Sequence, residues 1–156
     1  MQAQKLDESL LAQVPPFRRL NRAQIRQILD LATPQRHNPG VAVFENGAVA
    51  ERFFLLLDGH VRVLRLTEHG EQVVPLHIAS GQLIGIAAAL GRATYPATAE
   101  TLDDCITLSW PNRLWPQFVA DYDGFATETY KTVGLRLEEV HDRLVELSTQ
   151  QVEQRV

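Results

Sequence analysis

The sequence predicts a mainly β protein, an antiparallel sandwich or barrel flanked by helices, whose last part is one long helix. Between Gln35 and Trp110 short apolar segments recur, separated by turn pairs such as Asn46-Gly47 and Asp58-Gly59. Before and after this region the apolar period is helical. Short segments with such frequent turns are typical of antiparallel sheets.

The composition bounds the size and class of the protein. With 156 residues, of which 45% are hydrophobic and 22% charged, the chain has enough apolar residues for one core, so we expect one domain with an appendage. The longest apolar runs, such as Phe53–Leu57, are far shorter than the ~20 residues that span a bilayer. The N-terminus has neither a basic region nor a continuous apolar stretch. We therefore expect a cytoplasmic protein with no membrane partner.

Charge and cysteine content exclude further classes. A net charge of -4 gives no general attraction for nucleic acid, so the chain would reach DNA only through another domain. The single cysteine, Cys105, excludes an intramolecular disulfide and an all-cysteine iron–sulfur cluster, which needs four thiolates. We expect Cys105 to pack on a strand as a small apolar residue.

Two helices are predicted in the N-terminal segment, residues 1–34. The first, Leu6–Val14, is weakly amphipathic and ends at two consecutive prolines. The second begins at Arg22 and ends near Ala32. Its start has Asn21 as a candidate N-cap and Gln24 at the position that completes a capping box.

The β region is expected to span residues 35–110. Asp58-Gly59 lies between the apolar segments 52–57 and 61–67, and this dipeptide tolerates the positive φ angles of a tight two-residue turn, so it predicts a hairpin. Pro75 cannot donate a ladder hydrogen bond, which predicts an edge strand or a bulge there.

One stretch within the β region, Gly81 to Leu102, predicts a small pocket. It indicates a strand end, a short glycine-bounded helix at Gly85 to Gly91, a polar loop and a second strand beginning near Ala97. The start of such a helix has unpaired backbone N–H groups, and glycines there let a ligand approach the backbone closely. The alternative is a surface connection that binds nothing.

Residues 111–156 are expected to form a short helix and then a single long helix from Phe125 to Val156. The short helix has Asn112 as a candidate cap, with Pro116 in its first turn. Its expected inward side chains are Leu114, Trp115, Phe118 and Val119.

Apolar residues of the long helix recur at alternating spacings of four and three, which is a heptad pattern. The pattern predicts a parallel coiled-coil homodimer; the alternative is a helix packed on its own barrel. The seam begins at Ala126, and the predicted dimer interface comprises Tyr130, Val133, Leu137, Val140, Leu144 and Leu147.

The sequence shows no constellation of catalytic residues, and we expect neither an enzyme nor a metal site. The chain has no nucleophile elbow and no phosphate-binding loop. Its histidines are scattered, without a closely spaced pair: His37, His60, His69, His77 and His141. A cupin-like metalloenzyme is the alternative on a β-barrel, but it would need two closely spaced histidines and a glutamate as ligands.

The order of these elements resembles the sensor half of the Crp/Fnr family of bacterial transcription regulators. The segment FFLLLDGHVRVLRL resembles the family's glycine hairpin, GQLIG the start of its ligand-binding cassette, and the heptad helix its dimerisation helix. The segments LRLTEHGEQVV, YPATAET and RLEEVHDRLVELS are most similar to the regulators of nitrate respiration and nitric oxide response. The resemblance covers essentially the whole chain and implies a cyclic-nucleotide-binding-like jelly roll.

The resemblance also implies a function. Relatives of this kind continue from the long helix into a helix-turn-helix domain that reads DNA, and such a domain would begin where this chain ends, at Val156. The chain is then either the sensor fragment of a regulator or a protein that has lost this domain, and we expect the fragment. In it an effector changes the packing of the helices along Val133 to Leu147 and so reorients the DNA-binding domains. The alternative is a cyclic-nucleotide-binding module of a kinase or transporter, which should keep the cassette's glutamate and arginine.

In cyclic-AMP-responsive members of the family, a cassette glutamate binds the ribose and an arginine pairs with the phosphate. The matching positions hold Ile86 and Tyr95. Because a buried cyclic phosphate without an arginine is poorly compensated, we do not expect cyclic AMP to bind.

Several members of the family are thought to use haem. The matching residues of this sequence would make an apolar pocket wall, which suits haem or another planar apolar ligand: Ile86, Ala87, Tyr95, Ala97 and Thr98. His141 matches the helix position where cyclic-AMP-binding relatives contact the base, which makes it a candidate axial ligand or pocket gate. The predicted effector-binding residues are Gly85, Ile86, Ala87, Arg92, Tyr95, Ala97, Thr98 and His141.

Overall fold

The computed structural model describes residues 7–65 and 75–154; in the final helix the described side chains are those of residues 125–139, 141, 142, 145 and 146. The strands are β1 (Thr33–His37), β2 (Ala42–Phe44), β3 (Arg52–Asp58), β4 (His60–Leu64), β5 (Leu76–Ala79), β6 (Gln82–Ile84), β7 (Thr98–Thr101) and β8 (Cys105–Pro111). The α-helices are α1 (Ser9–Ala12), α2 (Arg22–Leu31), α3 (Trp115–Asp121) and α4 (Phe125–Gln154). Short 3₁₀ helices lie at Pro15–Phe17, Ala87–Leu90 and Asn112–Leu114.

The strands form two four-stranded sheets with the orders β1-β8-β3-β6 and β2-β7-β4-β5. Every pairing between these strands is antiparallel. This arrangement confirms the predicted antiparallel jelly roll with flanking helices. Strand β5 lies at the edge of its sheet and begins directly after Pro75, as predicted from that proline.

The continuous apolar run in β3 is explained by burial on both of its faces. Phe53 and Leu55 belong to a core shared with the helices, whereas Phe54 and Leu56 belong to a core between the sheets. Because successive strand residues point to opposite faces, a strand covered on both sides needs no polar alternation. Cys105 packs in the inter-sheet core with 1% of its surface exposed, as expected.

The predicted hairpin at Asp58-Gly59 is wrong. Strand β3 pairs with β6 and β8, whereas β4 pairs with β5 and β7, so the turn carries the chain from one sheet to the other. Gly59 has a φ of 99°, but Asp58 does not have a positive φ, so the two-residue turn with positive φ at both positions that suggested a hairpin is not formed. An Asp-Gly pair tolerates positive φ angles but does not determine whether its flanking strands bond to each other.

Of the two helices predicted in the N-terminal segment, α2 begins as predicted and α1 is shorter than predicted. The capping box of α2 is present, with the Asn21 side chain accepting from the Gln24 amide at 2.8 Å and the Gln24 side chain accepting from the Asn21 amide at 3.0 Å. Helix α1 is shorter than predicted, Ser9–Ala12, and the predicted residue Leu6 lies outside the described residues.

The helix after β8 differs from its prediction in two details. Its cap is Leu114 rather than Asn112, because a 3₁₀ helix intervenes, although Pro116 does occupy the first turn. Trp115 and Phe118 are buried as predicted. Val119 is 37% exposed, so its predicted inward position is wrong.

Helix α4 begins at Phe125, as predicted, and runs for 30 residues to Gln154; the last two residues of the predicted helix, 155 and 156, lie outside the described residues. Its first turns pack on the protein, with Phe125 fully buried and Thr129 1% exposed. Of the predicted dimer interface, Tyr130 and Leu137 are 52% and 67% exposed, and Val133 packs partly against the helical core. The side chains of Val140, Leu144 and Leu147 lie outside the described residues. None of the helices in the described ranges is long and apolar enough to cross a membrane.

Candidate functional site

The stretch after β6 forms the cassette, residues 85–97. It contains the predicted glycine-bounded helix, Ala87–Leu90, which ends at Gly91 with a φ of 67°, and β7 begins at Thr98, next to the predicted position. Gly85 also has a φ of 67°, and a Cβ there would lie 3.0 Å from ring atoms of Phe44 and Phe54. The cassette therefore turns inward at Gly85 and lies directly on the inter-sheet core.

A small hollow of about 130 Å³, the cassette cavity, lies under the cassette. Its wall is almost wholly apolar, and among the described residues that line it Arg136 of α4 is the one ionisable residue. The lining residues are Phe44, Val63, Leu76, Ile78, Ile84, Gly85, Ile86, Ala87, Leu90, Pro96, Ala97 and Arg136.

A second hollow of about 300 Å³, the helix cavity, lies between β5, β6 and α4. It shares Leu76, Ile78, Ile86 and Arg136 with the cassette cavity, so the two hollows adjoin. Its other lining residues are Pro15, Pro16, His77, Gly81, Gln82, Leu83, Thr129, Thr132, Leu135 and Glu139.

Arg136 reaches both hollows from the long helix. Its Nη2 donates to the carbonyl oxygen of Leu83 and, at 3.4 Å, to the side-chain oxygen of Gln82. Its buried Nε has no hydrogen-bond partner among the described residues. Burial lowers the pKa of the guanidinium to about 10, an effect that the negative charge of Glu139 opposes, so Arg136 is charged at neutral pH.

Four of the predicted effector-binding residues line the cassette cavity: Gly85, Ile86, Ala87 and Ala97. Ile86 and Ala87 are buried, with 6% and 1% of their surfaces exposed. The apolar pocket wall expected from the sequence is thus present at these positions.

Three other predicted residues, Tyr95, Thr98 and Arg92, do not line either hollow. Buried Tyr95 donates from its hydroxyl to the Arg52 carbonyl oxygen at 2.7 Å, and its ring stacks on Phe44, which does line the cassette cavity, with 4.4 Å between ring centroids. The hydroxyl of Thr98 accepts from the Asn46 amide at 2.9 Å. The side chain of Arg92 is exposed. Tyr95 and Thr98 therefore stabilise the frame of the cavity.

His141 is exposed and lines neither hollow. Its role as gate or ligand stays a prediction.

The cassette cavity does not fit a haem group. Its volume of about 130 Å³ is below the roughly 300–1,000 Å³ of pockets for drug-sized ligands. Histidine, cysteine and methionine, the residues that hold haem iron most often, are missing from its wall in the described part of the chain. His77 lines only the neighbouring helix cavity.

Arg136 is a site residue that was not predicted from the sequence. The signal was a second stripe on α4, made of Phe125, Thr129, Thr132, Arg136 and Glu139, which repeats with the same four-three spacing beside the heptad seam. Phe125 and Thr129 are buried against the protein, so this stripe is the barrel-facing side of the helix. The stripe places the charge of Arg136 on the wall opposite the cassette, whose own lining residues are uncharged.

A cluster of titratable groups lies at the β3–β4 turn, remote from the cassette. His60 Nδ1 lies 2.7 Å from a carboxylate oxygen of Asp103, and this hydrogen bond lowers the pKa of Asp103. Within the described ranges, no three histidine, cysteine or acidic side chains are grouped so that they could hold a metal ion.

Comparison with known proteins identifies the fold family. A family profile described as the cyclic nucleotide-binding domain matches residues 34–122. A curated relative, a cAMP-dependent protein kinase regulatory subunit from Mycosarcoma maydis, is 32% identical over 93 residues, covering 60% of this chain and 18% of the relative. The chain therefore spans less than a fifth of this relative's length.

Solved structures show the same fold at low sequence identity. The sensor domain of the transcriptional regulator DNR from Pseudomonas aeruginosa has a TM-score of 0.71 at 22% identity, covering 86% of this chain and 91% of that one. The regulatory subunit of a cAMP-independent protein kinase A from Trypanosoma brucei also has a TM-score of 0.71, at 18% identity, with coverages of 87% and 49%. Because the profile matches more than half of the sequence, the chain belongs to the cyclic nucleotide-binding domain family.

Proposed function

We propose that the chain is the effector-sensing and dimerisation part of a Crp/Fnr-type transcription regulator. In this proposal the N-terminal helices and the effector domain are those predicted at residues 1–34 and 35–110, except that the effector domain begins at Thr33, where β1 starts. Residues 111–156 carry the signal to a helix-turn-helix domain beyond the chain. The signal is the position of α4.

The observation that carries this proposal is the double role of α4. One face of the helix completes the wall of the cassette cavity through Arg136, while the adjacent face exposes the heptad residues Tyr130 and Leu137. A ligand in the cavity would contact the same rigid element that pairs with a second copy. A change of about 1–3 kcal/mol in the balance between two helix positions is typical of such coupling.

The coupling is a population shift. The free chain has at least two arrangements of α4 against the barrel, and the effector binds one of them more tightly. Paired α4 helices in a homodimer would transmit the change along Val133 to Leu147 and so reorient the following domains. The similarity in fold to the sensor domain of the transcriptional regulator DNR supports this choice within the family.

We propose an effector other than a cyclic nucleotide. Ile86 and Tyr95 occupy the cassette positions that hold glutamate and arginine in cyclic-AMP-responsive members. The Tyr95 hydroxyl already donates a hydrogen bond to the Arg52 carbonyl oxygen. Ribose hydroxyls in the apolar cavity would be left without partners, at a cost of about 1–3 kcal/mol each.

A cyclic-nucleotide-binding module of a kinase is the second candidate. The observation that favours it is the 32% identity to a cAMP-dependent protein kinase regulatory subunit. Under this alternative Arg136 would compensate the cyclic phosphate in place of the missing cassette arginine.

Calorimetry with cyclic AMP, beside absorption spectra with added haemin, distinguishes the candidates. Our proposal expects no tight cyclic AMP binding and no sharp Soret band. Tight binding of cyclic AMP would favour the kinase-type module. A Soret band that is lost in His141→Ala would show that haem binds outside the cassette cavity, near the dimer helix.

A further inference from the structure

We infer that the effector of this domain is a small organic anion, a carboxylate with an apolar body, and that Arg136 on α4 holds its charge. The inference rests on the proposed function and names the ligand class. The anion site then lies on the moving helix, opposite the cassette.

The charge of Arg136 has no paired anion in the described part of the chain, although Glu139 acts on it from a greater distance than an ion pair. Its hydrogen-bond acceptors are the neutral oxygens of Leu83 and Gln82, and no carboxylate among the described residues forms an ion pair with it. Glu139, one turn further along α4, is the nearest charge in the wall, and it is exposed. A buried cation without an anion is costly, which a bound anion would relieve.

The unpaired Nε of Arg136 identifies a donor for this anion. Buried polar groups are nearly always hydrogen-bonded, and an exception calls for an explanation such as a bound group. Guanidinium N–H groups match carboxylate oxygens in geometry and charge, so a carboxylate could accept from Nε and a neighbouring Nη. The anion would lie where the two hollows meet, because Arg136 lines both of them.

The apolar lining and the volume of the cassette cavity determine the chemistry and size of the uncharged part of the ligand. Side chains such as Phe44, Ile84, Ile86 and Leu90 supply no polar partner. A volume of about 130 Å³ suits a short aliphatic chain or one small ring. An apolar body is favoured here, whereas a sugar or a peptide would leave its polar groups unpaired.

Calorimetric titration of the 156-residue chain with hexanoate and benzoate tests the inference. We expect at least one carboxylate to bind, and 1-hexanol, which lacks the charge, to bind about tenfold more weakly or worse. Inorganic phosphate, which lacks the apolar body, should also bind more weakly. The inference would be overturned if 1-hexanol bound as tightly as the carboxylates, or if neither hexanoate nor benzoate bound.

Substitutions of Arg136 test whether this residue binds the carboxylate. Arg136→Gln should weaken carboxylate binding about tenfold or more, and Arg136→Lys should retain part of the affinity. Arg113→Gln removes an exposed arginine near α3 and should change nothing. Unchanged affinity in a folded Arg136→Gln protein, or loss caused by Arg92→Gln instead, would overturn the assignment. If Arg136→Gln does not fold, Arg136→Lys and the hexanol comparison decide.

The failure of this inference and the failure of the proposed function are distinguishable. If cyclic AMP binds and the carboxylates do not, the ligand class is wrong but the domain still senses an effector. If a carboxylate binds without any response of α4, the ligand class stands and the proposed signalling role fails.

Discussion

The guanidinium of Arg136, on α4, donates a hydrogen bond to the backbone carbonyl of Leu83, on β6. Leu83 pairs with Leu55 of β3 in the sheet β1-β8-β3-β6. The hydrogen bond from Arg136 therefore links the long helix to this sheet, beside both hollows. A ligand that competes for the guanidinium would act on this contact directly.

The exposed seam of α4 predicts a dimer that one charge can disrupt. Leu137→Glu should convert a dimer to a monomer in light scattering, because a carboxylate at a seam position would be buried against the partner. Leu135→Glu is the matched control, since Leu135 is similarly exposed, at 62% against 67%, but lies off the seam. A dimer that persists in Leu137→Glu, or dissociates equally in both variants, would contradict the seam assignment.

The hydrogen bond from Trp110 to α2 predicts a stability effect. The ring nitrogen of fully buried Trp110 donates to the Ile28 carbonyl at 2.9 Å, and Ile28 lies in the last turn of α2, where carbonyls lack helical partners. Trp110→Phe should lower the free energy of unfolding by about 1–3 kcal/mol more than Trp115→Phe does, because the carbonyl is left unpaired. Urea denaturation measures both; equal losses would show that ring volume alone matters.

Gly59 predicts a steric effect at the turn between the sheets. A Cβ there would lie 2.6 Å from both the Cys105 sulfur and the Asp104 carbonyl oxygen. Gly47 has a similar φ of 86° but nothing within 4 Å, so Gly47→Ala reports the backbone strain alone. We expect thermal or urea unfolding to show Gly59→Ala less stable than Gly47→Ala by about 1–3 kcal/mol. A difference near zero would mean that the turn relaxes freely.

Buried His37 predicts a loss of stability in mild acid. Its Nε2 lies 2.9 Å from the Thr107 hydroxyl, and burial lowers its pKa from the ordinary value of 6.5. As the pH drops through 6.5, His37 therefore becomes protonated in the unfolded chain but not in the folded chain. The free energy of unfolding falls over this pH range, and it stops falling below the pKa of His37 in the folded chain.

His37→Gln should flatten this part of the pH profile of urea unfolding, because an amide does not titrate. His77→Gln removes an exposed histidine and should leave the slope unchanged. The charged side chains around the same polar hollow, Arg36, Asp58 and Asp104, remain in both variants. A slope that persists in His37→Gln would place the titrating group elsewhere.

The sequence predicted the two-sheet fold and half of the predicted cavity wall because these depend on local patterns. Apolar segments with turn pairs determine strands, and the glycines around residues 85 and 91 determine the shape of the cassette. Strand pairing was not predictable from the Asp58-Gly59 turn, because this dipeptide tolerates positive φ at both positions but adopts it only at Gly59, in a corner between the sheets.

The charge in the site was the main omission, for a physical reason. Arg136 lies 39 residues beyond the end of the cassette in sequence and approaches it only because α4 packs back on the barrel. Tyr95 is the reverse case, since it is near the cavity in sequence but directs its hydroxyl to the Arg52 backbone. Site residues on one contiguous stretch could be predicted, whereas a residue contributed by tertiary packing could not.

The central claim is that occupation of the cassette cavity changes the environment of α4. Amide NMR spectra of the ¹⁵N-labelled chain, titrated separately with hexanoate and with cyclic AMP, test it most directly. With whichever probe binds, we predict that the amides of Gly85 to Ala88 and those of Leu135 to Leu137 shift together and saturate at one concentration. Shifts confined to the cassette, with the α4 amides unmoved at saturation, would contradict the account.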